Sequence, residues 1–386
     1  MPDTTVLTIP KGQYGVLDIF RFKPYFYPIN SLDRYERVNF LNENKGIKKY
    51  IQNPPASLRN KGIVYPNLHI DERVKEGIYA CDLKVSFSCP KIIWGHSFEE
   101  ITEAYFQTLV ETLQIRLKNM GVEVSIEALK NAVVHTLHYC ANIMFPSEEE
   151  ARMFLNRLHK TSLKAWFENN KKTFSNDGQA VRFHTDIFEI VFYLKYYDVL
   201  EKGNRSVGRK TTLQEKEIAK RLIKEGKIPP VVRLEIRMNG TRSVRNHLRA
   251  ALGIDKQYWT FEEVFSSLHS RSTLKYYWDQ IINDPVNLIC LTTVLDEDIC
   301  EKVVNKYTDE KIKGIAEPMG LFYLTKSLGA KRIKALTMLR QNRKAWYDKR
   351  KKIIFFARRF SNPSDNLIKI VTSVLENKPV QLGLPI

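Results

Sequence analysis

The sequence predicts an α+β fold: a mixed or largely antiparallel sheet with helices packed on one face, followed by a helical, basic C-terminal region. Three observations predict it. Segments with a two-residue apolar period fill much of residues 1–95 and recur around 131–145, 180–200 and 231–240. Segments with a helical period stand between them. After about residue 240 the two-residue period gives way to mostly helical pattern. Strands interleaved with single helices fit one sheet covered by helices. The chain therefore divides into an α+β core over 1–240 and a mostly helical region over 241–386. At 386 residues this agrees with a soft expectation of about 150 residues per domain.

In chain order, TVLTIP, GVLDIF and CDLKVSFSCP read as strands, and IQNPPASLRNKG as a loop. SFEEITEAYFQTLVETLQIRLKNM reads as a helix, with Ser97 as N-cap, Glu100 completing a capping box and Gly121 as the stop. A short helix starts at Ser125, and NAVVHTLHYCANIMF follows as a buried strand. A further helix is capped by Ser147. AVRFHT and EIVFYLKYYDVL form a strand pair turning near Asp186. The polar stretch EKGNRSVGRKTTLQEKEIAKRLIKEGKIPP is helical in its second half, and VVRLEIRMNG is the next strand.

Composition narrows the function. Apolar residues at 43% and aromatics at 11% exclude a disordered or low-complexity chain. Lys+Arg 61 against Asp+Glu 43 gives a net charge of +18, which calls for a polyanionic partner. Lys326–Phe360 alone holds 13 Lys/Arg against the single acid Asp348, with Trp346, Tyr347, Phe355 and Phe356 interleaved. Cys81, Cys89, Cys140, Cys290 and Cys300 form no CxxC, so neither a zinc site of usual spacing nor a disulfide framework is expected. No leader-type N-terminus and no run of 18 apolar residues occurs, so the expectation is a soluble, intracellular protein with no membrane partner.

Three strand segments can carry chemistry. In VVHTLHYC, His135 and His138 face opposite sides of a regular strand, so a shared metal site needs a bulge. The other reading is one solvent-facing and one core histidine. In RLEIR, Arg233, Glu235 and Arg237 share one face, as a solvated surface or as a cleft in which Glu235 holds a hard cation and the arginines grip phosphate. In FYLK, Tyr193 and Lys195 share a face, and the lysine can neutralise a phosphate or simply lie exposed beside a packed tyrosine. Tyrosine can form covalent phosphoryl intermediates. Tyr276 and Tyr277 lie in STLKYYWDQII, a helix with Ser272 as its expected cap, and sit about 100° apart, so only one points into a given site. Tyr196 and Tyr197 form a second pair.

These segments recur in a recognisable order: MPDTTVLTIP, IQNPP, SFSCPKIIWGHSFEEIT, LKNMGVEVS, NAVVHTLHYCANI, NDGQAVRFHTDIFEIVFYLK, VVRLEIRM and LKYYWDQII. Over most of residues 1–350 the chain resembles phage and plasmid replication initiators related to the gene II protein of filamentous phages. It is similar also to the Rep-trans type of plasmid initiator. The resemblance implies a nickase-like core that cuts one DNA strand at an origin through a tyrosine. A 5′-phosphotyrosine link and a 3′-OH primer for rolling-circle replication would result. It implies a divalent cation, Mg²⁺ or Mn²⁺, with Glu235 as acidic ligand and Asp3 as a further one. Lys195 matches a Tyr-Asp-Lys segment, with Leu194 where Asp is usual. His135 and His138 stand where Arg and Asp would in an Arg-x-Asp pattern, and Asn142 where a later polar residue sits. Either His138 replaces the aspartate as ligand or the metal site is altered or lost. Tyr277, then Tyr276, fall at the interval of the nucleophile. Arg233, Arg237 and Lys195 would bind flanking phosphates. Lys331, Arg332, Lys334, Arg343, Lys344, Lys349, Arg350, Lys351 and Lys352 would track the backbone of single-stranded or supercoiled origin DNA. The interleaved aromatics could stack on bases, a packed amphipathic helix being the favoured role for Trp346 and Phe355. A host helicase is a possible partner, and the setting is the cytoplasm of a bacterial cell carrying a phage, plasmid or integrated element. The alternatives are a non-catalytic origin or operator binder on the same scaffold, a related transposase or relaxase, and an RNA binder.

Overall fold

In the computed structural model, ten strands form one sheet in which every neighbouring pair is antiparallel. The structure describes residues 1–17, 21–25, 48–54, 62–75, 78–161, 171–175, 178–197, 211–292, 301, 305, 312–340, 343–360 and 366–377. The strands are β1 (Pro2–Pro10), β3 (Lys23–Tyr25), β4 (Lys48–Gln52), β5 (Asn67–Lys75), β6 (Ile78–Ser88), β8 (Val133–Met144), β9 (Lys171–Ser175), β10 (Ala180–His184), β11 (Phe188–Leu194) and β12 (Val231–Asn239). Across the sheet they run β3-β4-β5-β6-β1-β8-β12-β11-β10-β9, so the first strand lies near the centre. β2 (Tyr14–Val16) and β7 (Val122–Val124) pair apart from it.

Alternation gives the sheet two unlike faces. Leu7, Ile9, Leu83, Val85, Leu137, Tyr139, Ile236, Met238, Ile190 and Phe192 are buried on one. Their strand neighbours Thr4, Thr8, Lys84, Ser86, Thr136, His138, Arg237 and Glu189 lie half-buried on the other. The helices that cover the apolar face are α2 (Phe106–Asn119), α4 (Glu148–Lys160), α6 (Thr241–Leu252), α8 (Ser267–Ile282) and α13 (Asn366–Glu376). Leu113, Phe154, Leu248, Trp278 and Val371, one from each, join the sheet in a single core. Helices from both sides of residue 240 thus line the same core as the strands. The other helices before residue 292 are α1 (Cys89–Trp94), α3 (Ile126–Lys130), α5 (Leu213–Lys224), α7 (Phe261–Val264) and α9 (Pro285–Leu291). With α9, the helices α10 (Ile312–Leu328), α11 (Ala330–Arg340) and α12 (Arg343–Phe360) enclose a second, smaller core of Val286, Ile289, Leu321, Phe322, Ile333, Trp346, Ile353 and Phe356. Among the described residues no helix is long and apolar enough to cross a membrane.

Ser125 and Ser147 cap α3 and α4 as expected, each accepting from the backbone N–H three residues on. Two expected starts move. The helix read from Ser97 begins with a 3₁₀ turn at Glu103–Tyr105 before α2. Ser97 and Glu100 cannot cap it, because both side chains are bonded elsewhere: Ser97 to Glu215, Glu100 to Asn142 and Arg271. α8 starts five residues before Ser272, capped by Ser266, whose Oγ accepts from the His269 N–H at 3.4 Å. Residues 55–61 of the expected loop, and residues 198–210 ahead of α5, lie outside the described residues.

Candidate nucleic-acid site on the polar sheet face

Antiparallel register brings the polar positions of three adjacent strands side by side. Arg233, Glu235 and Arg237 on β12 stand opposite Asn142, Cys140 and His138 on β8. On its other side β12 sets Glu235 against Val191 and Arg233 against Tyr193 of β11. Lys195 follows one residue past β11. A shift in pairing between Pro2 and Thr4 marks an irregularity of β1 at Asp3.

One end of this polar face is roofed. α1 ends at Gly95, whose left-handed backbone (φ 76°) lets the chain reverse; a side chain there would strain the backbone. Residues 96–100 then lie over β8 and β12. The Phe98 carbonyl accepts from Asn142 Nδ2 at 2.7 Å and Arg233 Nη2 at 2.9 Å. Its ring stacks on Tyr196 at 4.6 Å. α5 locks this roof. Its capping-box residue Thr212 donates to the Gly95 carbonyl at 2.6 Å. Glu215 accepts from Ser97 N–H and Oγ and pairs with Lys91 at 2.8 Å.

Beneath the roof the charges are closely matched. Arg233, with its side chain fully buried, donates to Asn142 Oδ1 at 2.8 Å and lies 3.3 Å from Asp3 Oδ1. Arg237 bridges two carboxylates, Glu235 at 2.6 Å and Glu189 at 3.0 Å. The Tyr193 hydroxyl donates to the second oxygen of Glu235. Burial opposes ionisation of Glu235, yet the Arg237 and Arg233 charges hold its carboxyl well below the usual range. Lys195 Nζ donates to Ser97 Oγ at 2.9 Å and lies 5.9 Å from the centre of the Tyr193 ring. Burial, reinforced by Arg233, pushes the Lys195 ammonium down to about 8. Burial likewise resists ionisation of Glu215, but Lys91 and Lys195 bring it to about 2. Burial, with Arg237 behind it, lowers His138 and keeps the imidazole neutral.

The expected metal ligands are thus only partly assembled. Glu235, His138 and Asp3 occupy neighbouring strands. However, the carboxylates of Glu235 and Asp3 face arginines, and His138 Nε2 lies 3.4 Å from Asn239 Oδ1. The irregularity that a shared histidine site requires is present at His135, where pairing shifts between Val6 and Leu7. His135 nevertheless turns to Thr136, Nδ1 to Oγ1 at 3.2 Å. Among the described residues no group of three or more His, Cys, Asp or Glu is arranged to hold a metal ion. As arranged, the residues do not fit a divalent cation, because arginine already neutralises the carboxylates.

Tyr277 and Tyr276 are not brought to this site. Tyr277 is fully buried in α8 against Phe188, on the apolar side of the sheet, with its hydroxyl on His247 Nδ1. Burial drives its phenol far up, away from a phenolate. Tyr276 packs half-buried against the same core. The tyrosine that meets Glu235 is Tyr193. Its place follows from strand alternation, which sets it beside Lys195, and from a register that sequence leaves open. Arg233 cannot touch a phosphate as placed, since Asp3, Asn142 and Phe98 enclose it; Arg237 keeps 22% of its side chain exposed. Glu215 and Lys91 went unread as site residues, although the Thr212-x-x-Glu215 capping box was there to be found.

The second cationic region lies on α11 and α12. Lys331, Arg332, Lys334, Lys344 and Lys351 are exposed. Lys349 and Arg350 are half-buried, Arg350 lies 3.6 Å from Asp284, and Lys352 pairs with Glu317 at 2.5 Å. The side chain of Arg343 lies outside the described residues. Trp346 is buried as a packed amphipathic helix requires, whereas Phe355 is 53% exposed, since it falls on the outer side of α12.

No family model, curated protein or solved structure matches this chain.

Proposed function

We propose that the chain is a replication initiator that nicks one strand of origin DNA through a tyrosine, and that this tyrosine is Tyr193. The observation that carries the reading is the buried hydrogen bond from Tyr193 to Glu235 among Lys195, Arg233 and Arg237, of which Arg237 keeps part of its side chain exposed. Lys195 and Arg237 lie beside the Tyr193–Glu235 pair, and cations are what a phosphodiester needs as charge develops on it. In the step, the Tyr193 oxygen attacks phosphorus and its proton passes to Glu235. The bond from phosphorus to the 3′-oxygen breaks, and that oxygen takes a proton from Lys195 to leave as a 3′-OH. The 5′-phosphate stays on Tyr193. A group brought to about 8 suits Lys195 as a proton donor near neutral pH.

The test incubates purified protein with supercoiled and single-stranded DNA carrying its own gene and flanks, in Mg²⁺, in Mn²⁺ and in EDTA, on a denaturing gel. The expected result is a nick with protein covalently attached, lost in Tyr193→Phe and mapped by peptide to Tyr193. An adduct that survives Tyr193→Phe overturns the assignment.

A non-catalytic origin or operator binder is the second reading. The observation favouring it is that both oxygens of Glu235 are already engaged, by Tyr193 and Arg237. Salt-sensitive DNA binding with no adduct under any metal condition selects it.

A further inference from the structure

α5 carries a carboxylate beneath the roof, and donors from other elements converge on it. Glu215 Oε1 accepts from the Ser97 N–H at 3.0 Å and the Ser97 hydroxyl at 2.6 Å. Glu215 Oε2 accepts from Lys91 Nζ at 2.8 Å and from the Thr212 N–H, at the start of its own helix, at 3.0 Å. Lys195 Nζ stands behind, donating to the same Ser97 hydroxyl at 2.9 Å. Glu215 and Lys195 are both buried. Two ammonium groups, a backbone N–H and a hydroxyl around one buried anion are also the donor set that grips a phosphate.

Two observations make this carboxylate a removable occupant. The first is where it is rooted. The buried apolar residues of α5, Ile218, Ala219 and Leu222, cluster with Phe98, Tyr196 and Val231, apart from the main core. Lys91 instead belongs to α1, whose Cys89 and Ile92 lie in the main core, and Lys195 follows directly on β11. α5 can therefore lift while the lysines keep their places. The second is what lies beside it. Lys195 joins the donor set to the candidate nucleophile, its Nζ 5.9 Å from the centre of the Tyr193 ring. Tyr193 and Glu235 are only 7% and 3% exposed, so DNA reaches them only when their cover opens.

We propose that Ser97, Lys91 and Lys195 form a phosphate subsite that Glu215 fills in the closed form, and that a backbone phosphate of the strand to be cut displaces Glu215 as α5 lifts. A phosphate that binds only the lifted form draws the equilibrium toward it. Glu215 thus holds the chain inactive by occupying the place of the DNA. That the phosphate belongs to DNA rests on the proposed function; the anion subsite does not.

The test is fluorescence anisotropy of the full chain with a labelled oligothymidylate, at about 0.2 M salt to screen loose attraction to surface lysines. Glu215→Gln keeps the shape and removes the competing charge, and should tighten binding roughly fivefold or more. Glu217→Gln makes the same change of net charge at an exposed position of α5 and should stay within about twofold. Lys91→Met in the Glu215→Gln chain should remove the gain. Inorganic phosphate, titrated by calorimetry into the same variants, is the free-anion arm. A gain for phosphate alone overturns the DNA strand as ligand. No gain for either, or an equal gain in Glu217→Gln, overturns the subsite. Circular dichroism checks the fold of each variant. Hydrogen exchange of the unaltered chain decides the displacement without any variant. Saturating oligothymidylate should speed exchange of the α5 amides while those of β8 and β12 stay protected, and α5 amides that remain as slow overturn it. Tyr193→Phe in the Glu215→Gln chain should keep the gain in affinity and lose the adduct. A chain with Tyr193 intact that gains affinity and forms no adduct therefore overturns only the nicking reading.

Discussion

The centre of the sheet and the C-terminal helices are both dense in charge, and they use it in opposite ways. On β12 and around it nearly every charge has a partner within the fold. Arg233 meets Asp3, Arg237 meets two glutamates, and Glu215 meets Lys91. On α11 and α12 much of the described charge faces outward, and among the described residues Arg350 and Lys352 are fastened to acids. The contrast teaches that a run of cations in the sequence and a strand reading RLEIR are different objects. The first offers charge to a partner. The second places charge where its own fold must neutralise it, leaving function to the few groups at the margin.

Breaking the inner network should have the largest effect. Arg233→Ala leaves Asp3 and Asn142 without their buried partner and should cost about 3–5 kcal/mol in urea denaturation. Lys331→Ala, on the exposed region, should stay within about 0.5 kcal/mol. The next effect is acid sensitivity. Glu215 is held at about 2 against an ordinary value of 4.5. Its contribution is therefore full above about pH 4.5 and lost as pH falls toward 2, because the unfolded chain takes up the proton first. Stability measured across that window should fall less steeply in Glu215→Gln, which starts from a lower stability at neutral pH.

Tyr277→Phe removes one buried hydrogen bond to His247 and should cost about 0.5–1.5 kcal/mol, with adduct formation unchanged. Loss of the adduct would instead return the nucleophile to the apolar side of the sheet. Lys195 sharpens the comparison through pH. Its folded value near 8 lies below the ordinary 10.5, so the folded chain sheds its proton first, and stability from this group rises with pH between the two. Adduct formation should run the other way, falling as pH passes about 8, and Lys195→Arg should carry that limb upward. The smallest effect is confined to binding. Gln at Lys331, Arg332 and Lys334 should flatten the dependence of log K on log salt by roughly one for each phosphate contact removed, with stability unaltered.

Much of the fold was legible because strand period and helix caps are local. The alternation of β1 survives from Thr4 to Ile9, as do the Ser125 and Ser147 caps, whereas on β8 and β12 burial of the polar positions interrupts it. The failed helix start at Ser97 has a physical cause: residues with local capping chemistry are engaged over a long range. Ser97 and Glu100 read as a helix start, but their partners lie at Glu215, Asn142 and Arg271. Within the candidate site, Glu235, Lys195, His138 and Asp3 were legible as polar residues on strands. That arginines would take the carboxylates depended on register. So did the meeting of Tyr193 with Glu235, and no pattern along one strand reports the register of two.

The position of β1 has a consequence for how the chain is made. Asp3 is joined to Arg233 across 230 residues of sequence, and β1 is flanked by β6 on one side and β8 on the other. At about 5–20 residues per second, roughly 10–50 s separate the synthesis of Asp3 from that of Arg233. The strands that flank β1 are complete by Met144, so an edge of the first strand stays open for roughly 7–30 s of that interval, the condition in which strands associate with the wrong neighbour. Yield of this protein should therefore respond to chaperone supply and growth temperature before it responds to any change in the finished fold.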